Sequence, residues 1–319
     1  MNKVIIGADI GGTTIKLGFI NMEGDILHKW QIPTKTANNG ASIITDIWES
    51  VLTNLSEQNL RKEAVLGIGI GAPGFINSET GLVYEAINIG WKNVDLAKEL
   101  QNMSGLPVFV QNDANIAALG ENWIGAGNHS FNMIAVTLGT GVGGGVIVNG
   151  SILNGENGMA GEIGHIKVDP NGIPCNCGGI GCLETICSAT GIARQGMDAV
   201  TLNTRSNLAS YYNKTGNISA KDILELAKSG DETCLHIVQH TTNILGMALA
   251  NMASLNNPSK IIIGGGVSKA GTFLLDYITD SFKRHAIPKI SETCEIKLAQ
   301  LGNDAGMIGG AYLVKKNVG

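Results

Sequence analysis

Ile6-Gly7-Ala8-Asp9-Ile10-Gly11-Gly12-Thr13-Thr14-Ile15-Lys16 runs as an apolar strand into a glycine turn and out again, and it decides the fold because it returns later in the chain. An offset of 128 residues lays Ile6 to Gly11 on Ile134-Ala135-Val136-Thr137-Leu138-Gly139, and Phe19-Ile20-Asn21 on Ile147-Val148-Asn149. Each segment reads as strand, glycine turn, strand in one register, so each half of the chain is expected to open with the same β-hairpin. The turns also carry chemistry. Asp9 closes a strand, Gly11 and Gly12 free backbone amides, and Thr13, Thr14 and Lys16 add two hydroxyls and an ammonium. Those are the parts needed to hold a polyphosphate and its magnesium. A tight hairpin with a surface lysine explains one such motif equally well. Thr137-Leu138-Gly139-Thr140-Gly141 repeats the device, and two phosphate turns favour a nucleotide.

Working outward, helical spacing covers Ser42 to Leu55, Val94 to Met103 and Ala114 to Trp123, with strands at Val65 to Ile70 and Pro107 to Gln111. Further on come helices at Lys221 to Lys228 and Leu235 to Leu255, strands at Ile261 to Ile263 and Glu295 to Ala299, and a last helix at Ala305 to Lys315. Such alternation predicts an α/β protein with largely parallel sheets covered by helices. At 319 residues the length favours two domains. The expected division is 1–114 plus 302–319 for the first, since the last helix can fold back, and 115–301 for the second. With no proline- or serine-rich linker, the cleft between the halves is the expected site.

Composition narrows the function. Only 15% of residues are charged and the net charge is −5, which gives no electrostatic reason to bind nucleic acid or an anionic membrane. No apolar run approaches the roughly 20 residues of a membrane span. Strand-like sequence begins at Val4 in place of a signal peptide, so a cytoplasmic protein is expected. The 44 glycines gather after apolar runs, at Gly11-Gly12, Gly71 to Gly74, Gly139 to Gly145 and Gly264 to Gly266.

Between Glu162 and Glu184 lies a second dense cluster: Glu162-Ile163-Gly164-His165, Cys175-Asn176-Cys177 and Cys182-Leu183-Glu184. His165, Cys175, Cys177 and Cys182 are the tetrahedral donor set of a structural zinc site. The plain alternative is a structural metal unconnected with any substrate. Glu162 and Glu184 bracket the ligands in apolar surroundings, and carboxylates so held suit the vicinal hydroxyls of a sugar. Cys187, Cys234 and Cys294 stand apart and read as apolar fillers.

Gln111-Asn112-Asp113 ends a strand and starts a helix. Asp113 can be a helix N-cap and no more. It can also be a general base for phosphoryl transfer, with Asn112 orienting the same substrate, and the phosphate turns favour this second reading.

Together Asp9-x-Gly-Gly-Thr13, Asn112-Asp113, Leu138 to Gly145, Glu162-x-Gly-His165 and Cys175-x-Cys177-Gly-x-x-Gly-Cys182-Leu-Glu184 resemble the motif series of the ROK family of sugar kinases and repressors. Asn88-Ile89-Gly90-Trp91 and Gly264-Gly265-Gly266-Val267-Ser268 match its glucose-phosphorylating members in Gram-positive bacteria. The resemblance runs from Ile5 to about Leu313. It implies an actin-like (ribonuclease H-like) two-domain kinase fold with duplicated mixed sheets, and ATP-dependent phosphorylation of glucose at the 6-hydroxyl, the first step of glycolysis. Asp113 would take the hydroxyl proton, and Asn112, Glu162, His165 and Glu184 would hold the sugar, with Asn88 as a further contact. Gly11, Thr13, Thr140 and Gly141 would face the phosphates, and Gly265-Gly266 the adenosine end of ATP. Magnesium would bridge the phosphates near Asp9, and a homodimer or homotetramer is implied. Gln111 departs from the glutamate usual in the family, and is expected to point away from the sugar. N-acetylmannosamine, N-acetylglucosamine, allose and fructose stay open as substrates. A sugar-responsive repressor is disfavoured because no helix-turn-helix is read before Val4. An actin-like ATPase acting without sugar would leave the zinc loop and its glutamates without a purpose.

Overall fold

The computed structural model describes residues 3–203 and 206–318. Its strands are β1 (Val4–Ile10), β2 (Thr14–Ile20), β3 (Ile26–Pro33), β4 (Val65–Ala72), β5 (Phe75–Asn77), β6 (Leu82–Ala86), β7 (Trp91–Asp95), β8 (Val108–Asn112), β9 (Met133–Leu138), β10 (Val142–Val148), β11 (Ser151–Ile152), β12 (Lys260–Gly264) and β13 (Glu295–Leu298). One five-stranded sheet has the order β3-β2-β1-β4-β8, and another the order β11-β10-β9-β12-β13. In the first, β1 pairs antiparallel with β2 and parallel with β4, which is parallel to β8. In the second, β12 is parallel to both β9 and β13, and β10 is antiparallel to β11. Strand for strand the two orders match, so the repeated hairpin is the visible part of a duplicated mixed sheet.

A third sheet, β5-β6-β7, is an antiparallel meander that the sequence reading did not contain. It takes the start of the helix expected from Val94. Val94 and Asp95 belong to β7, and the Asp95 carboxylate caps the helix Leu96–Ser104 by accepting from the Lys98 amide at 3.3 Å.

The chain divides into two compact units. The first comprises Met1–His129, Gly145–Gly161 and Gln300–Gly319. Period-two alternation along β1 sends Val4, Ile6, Ala8 and Ile10 into one apolar cluster with the helix Ile43–Glu57. Ile5 goes to the other face, among Met307, Ile308 and Ala311 of the final helix Ala305–Val318. Each valine, isoleucine and methionine among them contributes about 1.5–3 kcal/mol.

On that second face, glycine allows backbone to meet backbone. A Cβ on Gly69 of β4 would overlap the Gly310 carbonyl, and one on Gly309 would overlap the Ile116 carbonyl in the helix Asp113–Trp123. Glu121, only 3% exposed, accepts from the Ala126, Gln300 and Leu301 amides at 3.0, 2.9 and 2.7 Å. These contacts carry the first unit on to His129, beyond the expected boundary at 114, and take it up again at Gln300.

The second unit comprises Ser130–Gly144 and Glu162–Ala299. Ile261, Ile262 and Ile263 of β12 and Ile134 and Val136 of β9 are fully buried, as a helix-covered parallel sheet requires. The helices of this unit include Ala189–Leu202 and Thr272–His285, both unassigned from sequence. Their interior small residues weaken the apolar periodicity, yet serve packing: Gly196 lies against Ile223, and Gly246 of the helix Glu232–Asn256 against Ser281. Cys187, Cys234 and Cys294 are buried and free of disulfides. Among the described residues, no helix is long and apolar enough to cross a membrane.

Candidate active site and metal centre

In the first unit the β1–β2 turn closes with the Gly11 amide donating to the Thr14 carbonyl at 3.0 Å. Thr34, just past β3, braces it, its hydroxyl donating to the Gly11 carbonyl at 2.7 Å and its amide to the Thr13 carbonyl at 3.0 Å. With these carbonyls engaged, Gly12 and Thr13 stay exposed at the tip. Asp9 and Lys16 are paired in register across the hairpin, and the ammonium donates to the Asn303 carbonyl at 3.2 Å. Burial lifts the Asp9 carboxyl to about 6; the charge of Asp113 adds to the rise and Lys16 opposes it. Asn88 lies exposed in the short turn Ile87–Ile89, its Cβ 3.9 Å from where a Cβ on Gly12 would stand. The fold thus sets Asn88 beside the β1–β2 turn.

Asn112 is the helix N-cap. Its Oδ1 accepts from the Ala114 and Asn115 amides at 2.9 and 3.2 Å, and its Nδ2 donates to the Gly74 carbonyl at 3.2 Å. Asp113 is therefore the first helical residue and not the cap; its Oδ1 accepts from the Ala114 amide at 2.8 Å. Gln111, expected to point away from the sugar, is buried within this strand end.

In the second unit the β9–β10 turn is tied back by the helix Ala189–Leu202. The Ala189 amide donates to the Gly139 carbonyl at 2.8 Å, and the Thr190 hydroxyl to the Thr140 carbonyl at 2.9 Å. Glu184 borders the same turn, its Oε2 accepting from the Val142 amide at 3.4 Å.

His165, Cys175, Cys177 and Cys182 bring their donor atoms within 4.8 Å of one another. The Cys175 Sγ to His165 Nδ1 and Cys177 Sγ to Cys182 Sγ separations are both 3.6 Å. Ligands of tetrahedral zinc stand about 3.5–3.8 Å apart, given metal–ligand bonds near 2.0–2.3 Å. The loop reaches this arrangement through a turn in which Cys175 N donates to Gly179 O and Gly178 N to Cys175 O, with Gly178 at φ 84°. Burial, with Glu184 adding, pushes the Cys175 thiol up to about 12, while the Gly179 amide favours the Cys177 thiolate. A divalent cation would stabilise the three sulfurs as thiolates beside one imidazole nitrogen, so these residues fit zinc.

His165 was expected to serve both metal and sugar, and its two ring nitrogens face different neighbours. Nδ1 faces the sulfurs, whereas Nε2 points to Glu162, 3.9 Å from Oε2. Glu184 lies on the inner side, its Oε1 3.7 Å from Nδ1 and accepting from the Cys175 thiol at 3.0 Å. The three residues form one contiguous polar group.

Past β12, Gly265 at φ 86° turns the chain into Gly266. Beside it is a cavity of about 420 Å³ whose walls include Ser219, Leu224 and Glu225 opposite Gly266, Val267 and Ala270. A further cavity of about 360 Å³ brings Arg194 to Thr140, Gly141 and Glu184. Sequence reasoning missed Ser219, Glu225 and Arg194. Each lies in an ordinary amphipathic stretch, and only long-range packing brings it to a glycine turn.

With this geometry in view, comparison with known proteins is specific. The profile of the ROK family matches residues 5–317. A glucokinase of Halalkalibacterium halodurans is 52% identical over 312 residues, 98% of this chain and 94% of that protein. The crystal structure of a ROK family glucokinase from Streptomyces griseus, in complex with glucose and AMPPNP, superposes with a TM-score of 0.80 at 36% identity, covering 98% of this chain and 99% of the other. A ROK hexokinase from Thermus thermophilus superposes at 0.84 with 29% identity, covering 99% of each chain. On the family match over nearly its whole length, with the duplicated sheet and the His/Cys cluster in place, the chain belongs to the ROK family.

Proposed function

We propose that this protein is an ATP-dependent glucokinase, transferring the terminal phosphoryl group of ATP to the 6-hydroxyl of glucose to give glucose 6-phosphate and ADP. The observation that carries the reading as far as glucose is the 52% identity to a glucokinase over 98% of the chain. The geometry supports the chemistry. Asp113, on a helix start capped by Asn112, is the general base: its carboxylate takes the 6-hydroxyl proton as that oxygen attacks phosphorus. Asn112 keeps hydrogen-bonding capacity on Nδ2 for the sugar. Glu162, Glu184 and the Nε2 side of His165 accept from and donate to the remaining hydroxyls, and Asn88 is a further contact.

The amides of Gly12, Thr13, Thr140 and Gly141, the hydroxyl of Thr14 and the Lys16 ammonium receive the phosphates, Gly11 faces them while its own amide closes the turn on the Thr14 carbonyl, and Gly265 and Gly266 receive the adenosine end. Asp9 would hold magnesium through waters, and the ion would supply charge neutralisation at the phosphates. Zinc on His165, Cys175, Cys177 and Cys182 would fix the loop that carries Glu184. Assembly as a homodimer or homotetramer belongs to the same reading and is open to light scattering.

Sugars that differ at C2 are separated by only about 1–3 kcal/mol unless a buried polar group is left unpaired. The deciding experiment is a coupled assay with magnesium ATP across glucose, mannose, fructose, N-acetylglucosamine and N-acetylmannosamine. We expect kcat/KM for glucose to exceed the others by about tenfold or more. A higher value for any other sugar overturns the glucose assignment, and no turnover on any sugar overturns the kinase.

A further inference from the structure

We propose that Gln111 is a positioning residue that clamps the strand end bearing Asn112 and Asp113 to the loop 154–161, with Asn154 as its partner. This rests on the reading of Asp113 as the base. Gln111 is the penultimate residue of β8 and is 3% exposed, so its amide must find partners for both ends inside the protein. It does. Its Oε1 accepts from the Asn112 amide at 2.8 Å and from Asn115 Nδ2 at 3.2 Å, and its Nε2 donates to Asn154 Oδ1 at 2.8 Å. Turning the amide over would set donor against donor at Asn112 and acceptor against acceptor at Asn154, so the network admits one orientation.

The two contacts made by Oε1 fall on either side of Asp113 in the chain. One fixes the peptide entering Asn112, and the other holds Asn115 in the first helical turn. Asn112, with its side chain already committed to Ala114, Asn115 and Gly74, completes the clamp. Asp113 thus rides on a backbone whose neighbours are all held, as a base aligned on one hydroxyl requires.

The contact made by Nε2 reaches a different structure. Asn154 opens a loop closed on itself by the Ala160 amide donating to the Asn154 carbonyl at 3.0 Å. Gly158, at φ 80°, lies where a Cβ would overlap the Ile76 carbonyl of β5. The loop ends at Gly161, and the chain continues directly into Glu162. One buried amide therefore ties the segment that carries the base to the segment that leads into a proposed sugar carboxylate.

The test compares wild type with Gln111→Leu, Gln111→Glu, Asn154→Ala and the Gln111→Leu/Asn154→Ala double variant. It reads kcat, KM for glucose and thermal midpoint in parallel. We expect Gln111→Leu to lower kcat about 30- to 100-fold with KM for glucose moved less than about threefold, because misplacement of about 1 Å costs on that scale. Asn154→Ala should cost about tenfold, and the double variant no more than about twofold beyond Gln111→Leu, since both remove one coupled unit. Gln111→Glu should recover to within about threefold of wild type: a carboxylate keeps both acceptor contacts, and Asn154 can present Nδ2 in place of Oδ1.

A kcat for Gln111→Leu within threefold of wild type, or losses that multiply in the double variant, would overturn the proposal. If Gln111→Leu does not fold, Asn154→Ala decides alone, and full turnover there overturns it. A wild type inactive on every sugar would instead bring down the kinase reading, and this inference with it.

Discussion

Asp113→Asn removes one negative charge and leaves the local architecture in place, which makes it the sharpest probe of the proposed chemistry. An asparagine Oδ1 can accept from the Ala114 amide as the aspartate does at 2.8 Å, and the helix cap belongs to Asn112. The variant should therefore fold as the wild type does, with a thermal midpoint within about 2 °C. Loss of a general base costs about 10²- to 10⁴-fold in kcat, or about 2.7–5.4 kcal/mol at 1.36 kcal/mol per decade. Glucose affinity should stay within about threefold, since the hydroxyl contacts assigned to Glu162, His165 and Glu184 are untouched.

A second consequence is separable from turnover. Asp113's charge is one of two causes that lift the Asp9 carboxyl to about 6, burial being the larger. Neutralising Asp113 should bring the Asp9 titration down, though not to the ordinary value, because burial persists. The assays are steady-state kinetics with magnesium ATP, calorimetric glucose titration, and carboxyl-carbon NMR of Asp9 against pH. Turnover within tenfold of wild type would refute the base, and an unmoved Asp9 titration would refute the electrostatic coupling.

Three further outcomes are expected. Asp9 holds its proton more tightly folded than unfolded, so ionising it costs stability that builds as pH rises from about 4 through about 6. Asp9→Asn should thus gain on the order of 2–3 kcal/mol over wild type at pH 7.5 and close to none near pH 4, while losing ATP turnover; a denaturant-derived difference that does not grow between pH 5 and 7.5 refutes this. Cys177→Ala should lose the single zinc expected per chain and much of the roughly 10 kcal/mol that such a site contributes, and stoichiometric zinc by elemental analysis would overturn the ligand set. Glu121→Gln presents an NH₂ group to backbone amides that now donate to a carboxylate, and should cost about 2–3 kcal/mol in urea unfolding; a cost below about 0.5 kcal/mol would refute the latch.

What the sequence determined by itself was whatever depends on neighbours along the chain. The glycine turns at Gly11 and Gly139 and the strands beside them are local, and both hairpins stand where the 128-residue repeat placed them. The His165, Cys175, Cys177 and Cys182 cluster was legible for the same reason, since donor spacing within eighteen residues limits where the atoms can go. Tertiary structure alone decided the rest. Glu121 reaching Gln300 and Gln111 reaching Asn154 are pairings across 179 and 43 residues that leave no periodic trace, and the β5-β6-β7 meander, though local, is built of strands of three and five residues, too short to show an alternation. Even the choice of helix cap between Asn112 and Asp113 is of this kind. Either side chain can cap a helix, and the choice fell to Asn112 because Gly74 was there to receive its other end. A local motif states which groups are present, but only the packed chain brings a buried donor to its one acceptor, since leaving either unpaired costs more than the fold can absorb at many places.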